Sequence, residues 1–243
     1  MSARVAVVTG AASGIGLGVA FTALMLWAIS NGEFFGLPSA LRRTQMADQL
    51  DPADPKASLE IQESGFSLAR PTVKWLRAKK GFQYPPVQPL LRNDALLLLV
   101  QPDLYAFIDV QSEANNRLGP AVEDFILNRL KQDATQPTNN NKKALSKFVN
   151  DDNEDAPEVS HVTKVTPVGT PKTLPKEAGV QQANEMTAEA TVDGKRWTIL
   201  VRTYQMTSGR LFIVRAFAET ARFARVKDEL AKALDSFKAT PGF

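Results

Sequence analysis

Thr9, Gly10, Gly14 and Gly16 spell T-G-x-x-x-G-x-G directly behind the apolar run Val5–Val8. Between a strand and a helix, glycines so spaced let backbone amides close on a pyrophosphate at the helix N-terminus. His161, the single histidine, follows Ser160 directly. A Ser-His-acid triad draws its members from separate segments and needs a nucleophile elbow; no G-x-S-x-G occurs, so His161 is read as structural or superficial. Asp151-Asp152-Asn153-Glu154-Asp155 concentrates oxygen ligands of the kind calcium takes. It lacks the glycine and the bidentate glutamate at the positions of an EF-hand loop, and is read as a hydrated loop. Asp124, Asp228 and Glu229 sit on helical stretches with ordinary amphipathic placement. Arg77, Lys79 and Lys80, just after Trp75, are the leading candidate for an exposed charged patch, and a solvated loop explains them equally well. The chain has no cysteine, which removes disulfides, thiolate zinc sites and cysteine nucleophiles. P-loop, zincin and kinase signatures are absent. The expected catalytic, cofactor-binding and metal-binding sets are therefore empty.

The glycine pattern looks like the cofactor loop of the short-chain dehydrogenase/reductase family, and an NAD(P)-dependent oxidoreductase is the alternative it implies. The likeness stops at Gly16. That family carries Asn-Asn-Ala-Gly, whereas Asn115-Asn116 here precedes Arg117-Leu118. It also carries Tyr-x-x-x-Lys, whereas Tyr84, Tyr105 and Tyr204 are followed four places on by Gln88, Asp109 and Ser208.

The same residues lie within an uncharged stretch, Val5 to Ile29. A membrane span needs about 20 mostly apolar residues, and only Thr22 and Gly18 interrupt Leu17–Ile29, so no solvent-facing stripe exists. Gly10, Gly14 and Gly18 share one helix face as a double G-x-x-x-G, which permits close helix packing in lipid. Trp27 stands at the level of an interfacial indole, and Phe34 and Phe35 follow at the membrane surface. The reading is a transmembrane anchor over 1–30. Ala28-Ile29-Ser30 resembles a signal-peptidase site, but the apolar core exceeds the roughly 7–15 residues of a signal h-region. An uncleaved, single-pass anchor with the domain outside the cytoplasm, periplasmic in a bacterium, is expected.

A polar, proline-containing linker is expected over 31–58, and one domain over 59–240. Apolar content of 44% and charged content of 23% are those of a globular protein. The net charge of +3 is small and interspersed, so no nucleic-acid partner is expected. Residues 65–69 alternate as a strand ended by Pro71; 95–101 read as a buried strand, and 104–110 as its antiparallel neighbour. Gly119-Pro120 opens a helix with Val122, Phe125, Ile126 and Leu130 on its apolar stripe. A polar insertion follows at 134–157. Residues 159–168 alternate again, and 172–179 read as a loop. Met186, Ala188, Ala190 and Val192 alternate up to Asp193-Gly194, a strong hairpin signal, and Trp197, Ile199 and Val201 continue beyond it. After a turn at 207–209 and a strand at 211–218, a helix over 219–238 buries Phe223, Val226, Leu230, Leu234 and Phe237. The class is α+β, an antiparallel sheet flanked by helices, plus the N-terminal transmembrane helix.

The run Thr191-Val192-Asp193-Gly194-Lys195-Arg196-Trp197, the strand at 209–218 and the helix ending Leu234-Asp235-Ser236-Phe237 resemble the PsbP-like superfamily. Pro71 to Trp75 and the strand over 104–111 fit its first half, and the resemblance spans about Ile61–Phe237. It is the fold of extrinsic photosystem II proteins and of bacterial lipoprotein and envelope domains. It implies partner binding and no shared catalytic set; the span and the 134–157 insertion depart from it. The function expected is a non-catalytic, membrane-anchored accessory subunit stabilising a larger membrane complex, photosynthetic or respiratory. Its partners would be membrane lipid and other subunits through the glycine face. An envelope domain binding a small ligand is a further alternative.

Overall fold

The computed structural model describes residues 46–54, 58–92, 94–114, 122–135 and 162–240, together with Thr44 and Lys56. The helix-packing glycines Gly10, Gly14 and Gly18, the interface residues Trp27, Phe34 and Phe35, His161 and the acidic run 151–155 lie outside them.

Among the described residues ten strands form two sheets. The small sheet has the order β1-β2-β10, with β1 Glu60–Glu63, β2 Phe66–Ala69 and β10 Lys238–Ala239. The large sheet has the order β3-β4-β5-β9-β8-β7-β6. Its strands are β3 Leu76–Arg77, β4 Leu97–Gln101, β5 Ala106–Glu113, β6 Val162–Thr173, β7 Val180–Val192, β8 Lys195–Met206 and β9 Leu211–Glu219. Every pairing is antiparallel. The chain thus leaves β5, crosses to the far edge at β6 and returns as a meander whose last strand pairs with β5. Four inter-strand gaps are about 19 Å. Helix α1, Val122–Thr135, lies on this crossover, and its 14 residues measure about 21 Å.

Alternation divides the core between the two faces of the sheet. On one face α1 places Val122, Ile126 and Leu130 over Phe107, Trp197, Ile199 and Phe217. On the other, α2, Thr220–Asp235, brings Val226, Leu230 and Leu234 against Val214, Ala216 and Ala218. Phe66, Phe212 and Phe237 form an aromatic contact beneath the small sheet, with ring centroids 5.6–6.0 Å apart. Trp75 is fully buried, and its indole N–H donates to Glu229 of α2 at 2.7 Å.

Asp193 and Gly194 have φ of 47° and 76°, the two left-handed residues of a type I′ turn. A Cβ on Gly194 would meet nothing within 4 Å, so backbone conformation rather than space favours glycine there. Four details differ from expectation. Strand β6 runs on to Thr173 through Pro167 and Pro171, which an edge strand tolerates because one side of its ladder is unpaired. The C-terminal helix stops at Asp235, and Phe237 enters the core from outside it, ahead of β10. Strand β1 is unanticipated, and it alternates only between exposed and intermediate residues. Within the expected linker, Met46 and Leu50 are buried in the core, so the body takes in chain before residue 59.

Between the central strands, Arg215 of β9 faces Asp109 of β5 in register. Its Nε donates to both carboxylate oxygens at 2.9 and 3.1 Å, one Nη2 hydrogen bond goes to the same carboxylate, and another reaches the Leu90 carbonyl at 2.9 Å. Both side chains are 3% exposed or less. Further along that face, Gln111 Oε1, Thr203 Oγ1 and Asn184 Nδ2 are buried without a partner among the described residues.

Arg215→Met alone strands a buried carboxylate and is expected to cost about 3–5 kcal/mol in a denaturant titration. Asp109→Leu combined with Arg215→Met should restore most of that loss; a double variant as unstable as the single one would contradict the pair's role. Thr203→Val removes an unpartnered hydroxyl at constant shape and should leave the melting temperature equal or higher. A loss above about 1 kcal/mol would mean that the hydroxyl is bonded after all.

Candidate functional site

The groove that collects the sequence-predicted cations lies at the β3–β4 edge of the large sheet. Trp75 anchors the chain in the core, Leu76 and Arg77 add the two-residue edge strand, and Ala78 N donates to the Leu98 carbonyl at 2.8 Å. The chain then turns outward at Lys79-Lys80-Gly81, and Gly81 has a φ of 84°. Opposite, the 3-10 turn Pro85–Leu90 leads into Arg92 and back into β4. Between these walls is a groove of about 500 Å³. Arg77, Lys79, Lys80 and Arg92 line it, with the carboxylates Asp51 and Asp94.

The cations differ in their partners. Arg77 pairs with Glu63 at 2.6 Å, and Arg92 with Asp94 at 2.7 Å. Lys79 Nζ donates to the Asp48 carbonyl at 2.9 Å, so its charge meets a dipole and no carboxylate. Lys80 is exposed. Among the described residues neither lysine has an acidic partner. Leu96, 43% exposed, adds an apolar surface to the same groove. The Arg92 hydrogen bond holds the Asp94 carboxyl below its usual pKa, against the opposing effect of partial burial.

The lining therefore carries more positive than negative charge, with Arg77, Lys79, Lys80 and Arg92 against Asp51 and Asp94. No hydroxyl, imidazole or tyrosine stands among the lining residues. Among the described residues, no group of three or more histidine, cysteine, aspartate or glutamate side chains could hold a metal ion. Asp124 and Asp228, set aside in the sequence, fall on the separate helices α1 and α2, and Glu229 is committed to Trp75. Arg92, Asp94 and Leu96 were not singled out from the sequence; Arg92 and Asp94 carry only a weak signal, opposite charges two apart before an apolar strand. Among the described residues no helix is long and apolar enough to cross a membrane.

No protein-family model matches the chain, and no curated protein matches it in sequence. Solved structures do show likeness. Cyanobacterial PsbP (CyanoP) from Synechocystis matches at 10% identity and a TM-score of 0.40, over 78% of this chain and 98% of that one. The Ran-binding protein Mog1p of Saccharomyces cerevisiae matches at 10% identity and 0.38, over 75% of this chain and 95% of that one. LpqN, involved in cell envelope biogenesis of Mycobacterium tuberculosis, matches at 16% identity and 0.34, over 79% and 87%. At these identities and TM-scores the likeness is one of fold alone.

Asp94 is expected to titrate below the ordinary aspartate value of about 3.9 and to return toward it in Arg92→Gln, as followed by NMR. Because its folded value is depressed, its contribution to stability is present above the ordinary value and is lost as pH falls through the folded one. Its side chain is 67% exposed, so that contribution is small. An unchanged Asp94 titration in Arg92→Gln would remove the assigned cause.

Proposed function

We propose that this chain is a membrane-anchored, non-catalytic binding domain, an accessory subunit of a larger membrane protein complex. The observation that carries it is the cation-lined groove, on a body whose chain is preceded by the uncharged stretch Val5–Ile29. In this reading residues 1–30 cross the bilayer once, with Trp27, Phe34 and Phe35 at its surface and the body outside the cytoplasm. The face of Gly10, Gly14 and Gly18 packs on a helix of a partner subunit, since small residues let backbones approach closely in lipid. The dinucleotide alternative has less support. Its loop follows a strand of a parallel sheet, and every strand pairing among the described residues is antiparallel.

Full-length protein should sediment with membranes and resist carbonate extraction, and a chain lacking residues 1–30 should appear in the supernatant. Sedimentation of the truncated chain at the full-length level would overturn the anchor. Millimolar NAD(P) should leave the melting temperature unchanged; a rise would restore the oxidoreductase reading.

A further inference from the structure

The chain enters the folded body on the rim of the groove. Met46 and Leu50 are buried, and Leu50 bridges to Ala78. Gln49 and Gln83 exchange hydrogen bonds, Nε2 to the Gln83 carbonyl at 2.9 Å and Gln83 N to Gln49 Oε1 at 2.6 Å. Asp51 N donates to the Arg77 carbonyl at 2.8 Å, and Lys79 N to the Gln49 carbonyl at 2.9 Å. The segment 46–51 is therefore fastened to the residues that carry the cations. Between Ser30 and Met46 lie residues 31–45, whose full extension is about 50 Å. On the anchored reading, on which this inference rests, the groove rim is the point of the body tethered to the bilayer. Tethering raises the local concentration of the lipid surface at that point.

The groove's chemistry suits that surface. Among the described residues Lys79 and Lys80 have no carboxylate partner, Lys79 donating only to the Asp48 carbonyl, and the exposed Leu96 stands in the same groove. Cations beside an apolar side chain match phosphate headgroups above acyl chains, and each basic residue near an anionic leaflet adds attraction. We propose that this groove rests on anionic phospholipid headgroups, with Lys79 and Lys80 taking the phosphates and Leu96 at the interface, so that the body lies on the membrane instead of swinging from its linker.

The test uses the full-length chain. It has no native cysteine, so Leu96→Cys carries a single fluorophore. The labelled protein is placed in nanodiscs of phosphatidylcholine, or of equal parts phosphatidylcholine and phosphatidylglycerol, each with a trace of headgroup-nitroxide lipid. Quenching is expected in the anionic discs and not in the neutral ones. It should fall roughly tenfold or more with Lys79→Glu/Lys80→Glu, and be screened away at about 0.5 M salt. Both lysines are exposed and the double variant gives up only the Lys79 Nζ bond to the Asp48 carbonyl, so it should melt close to the parent. Entry into discs without lipid-dependent quenching overturns this proposal alone. Failure to enter discs overturns the anchor and this proposal with it. A probe shielded in native membranes but not in anionic discs would give the groove to a protein partner and overturn the lipid assignment.

Discussion

Asp109 and Arg215 form an ion pair removed from water at the centre of the large sheet, where the strand leaving the first half of the domain meets the last strand of the second. Two charges in such a place are tolerable only with close geometry and further hydrogen bonds. Here the guanidinium also reaches the Leu90 carbonyl, and Gln111 Nε2 lies 3.3 Å from the carboxylate. A slip of one residue between β5 and β9 would turn one partner toward the α2 side, among Val214, Ala216 and Ala218, and strand the other. The pair thus selects the register that joins the halves. The hydrophobic alternation on either side supplies most of the stabilising burial.

The rest of the architecture follows from that register. With β5 and β9 fixed, the meander places β6 at one edge and β3 at the other. Each edge is blunted differently. Strand β6 carries Pro167, Pro171, Lys164 and Lys172, which discourage pairing with another chain. The β3 edge is short and capped by the segment 46–51. A two-residue edge strand leaves room beyond its end, and that room is the groove. The groove is a by-product of how this edge is closed.

The groove also separates two uses of charge. Arg215 and Arg202 are spent on structure, Arg202 holding Glu185 of β7 and Asp235 at the end of α2 at 2.8 and 2.6 Å. Lys79 and Lys80 touch no carboxylate among the described residues and so retain field for something outside the body.

Local rules were enough for much of the body. Period-two alternation located the strands of the meander, and Asp193-Gly194 announced its hairpin because only a left-handed pair fits that turn. Helical spacing located the stripes of α1 and α2. Other features were decided by contacts far apart in sequence. Met46 and Leu50 belong to the core because an edge over 25 residues away receives them. Phe237 is buried through β10 and its rings, not through a helical stripe. Asp109 and Arg215 each stood as a lone charge in an apolar strand, and only the β5–β9 register, 106 residues apart, made them partners. Arg77, Lys79 and Lys80 were visible as a run. Their meeting with Arg92, Asp94 and Leu96 in one groove needed the folded edge, because composition records charge, whereas a concave site depends on which walls the tertiary structure brings together.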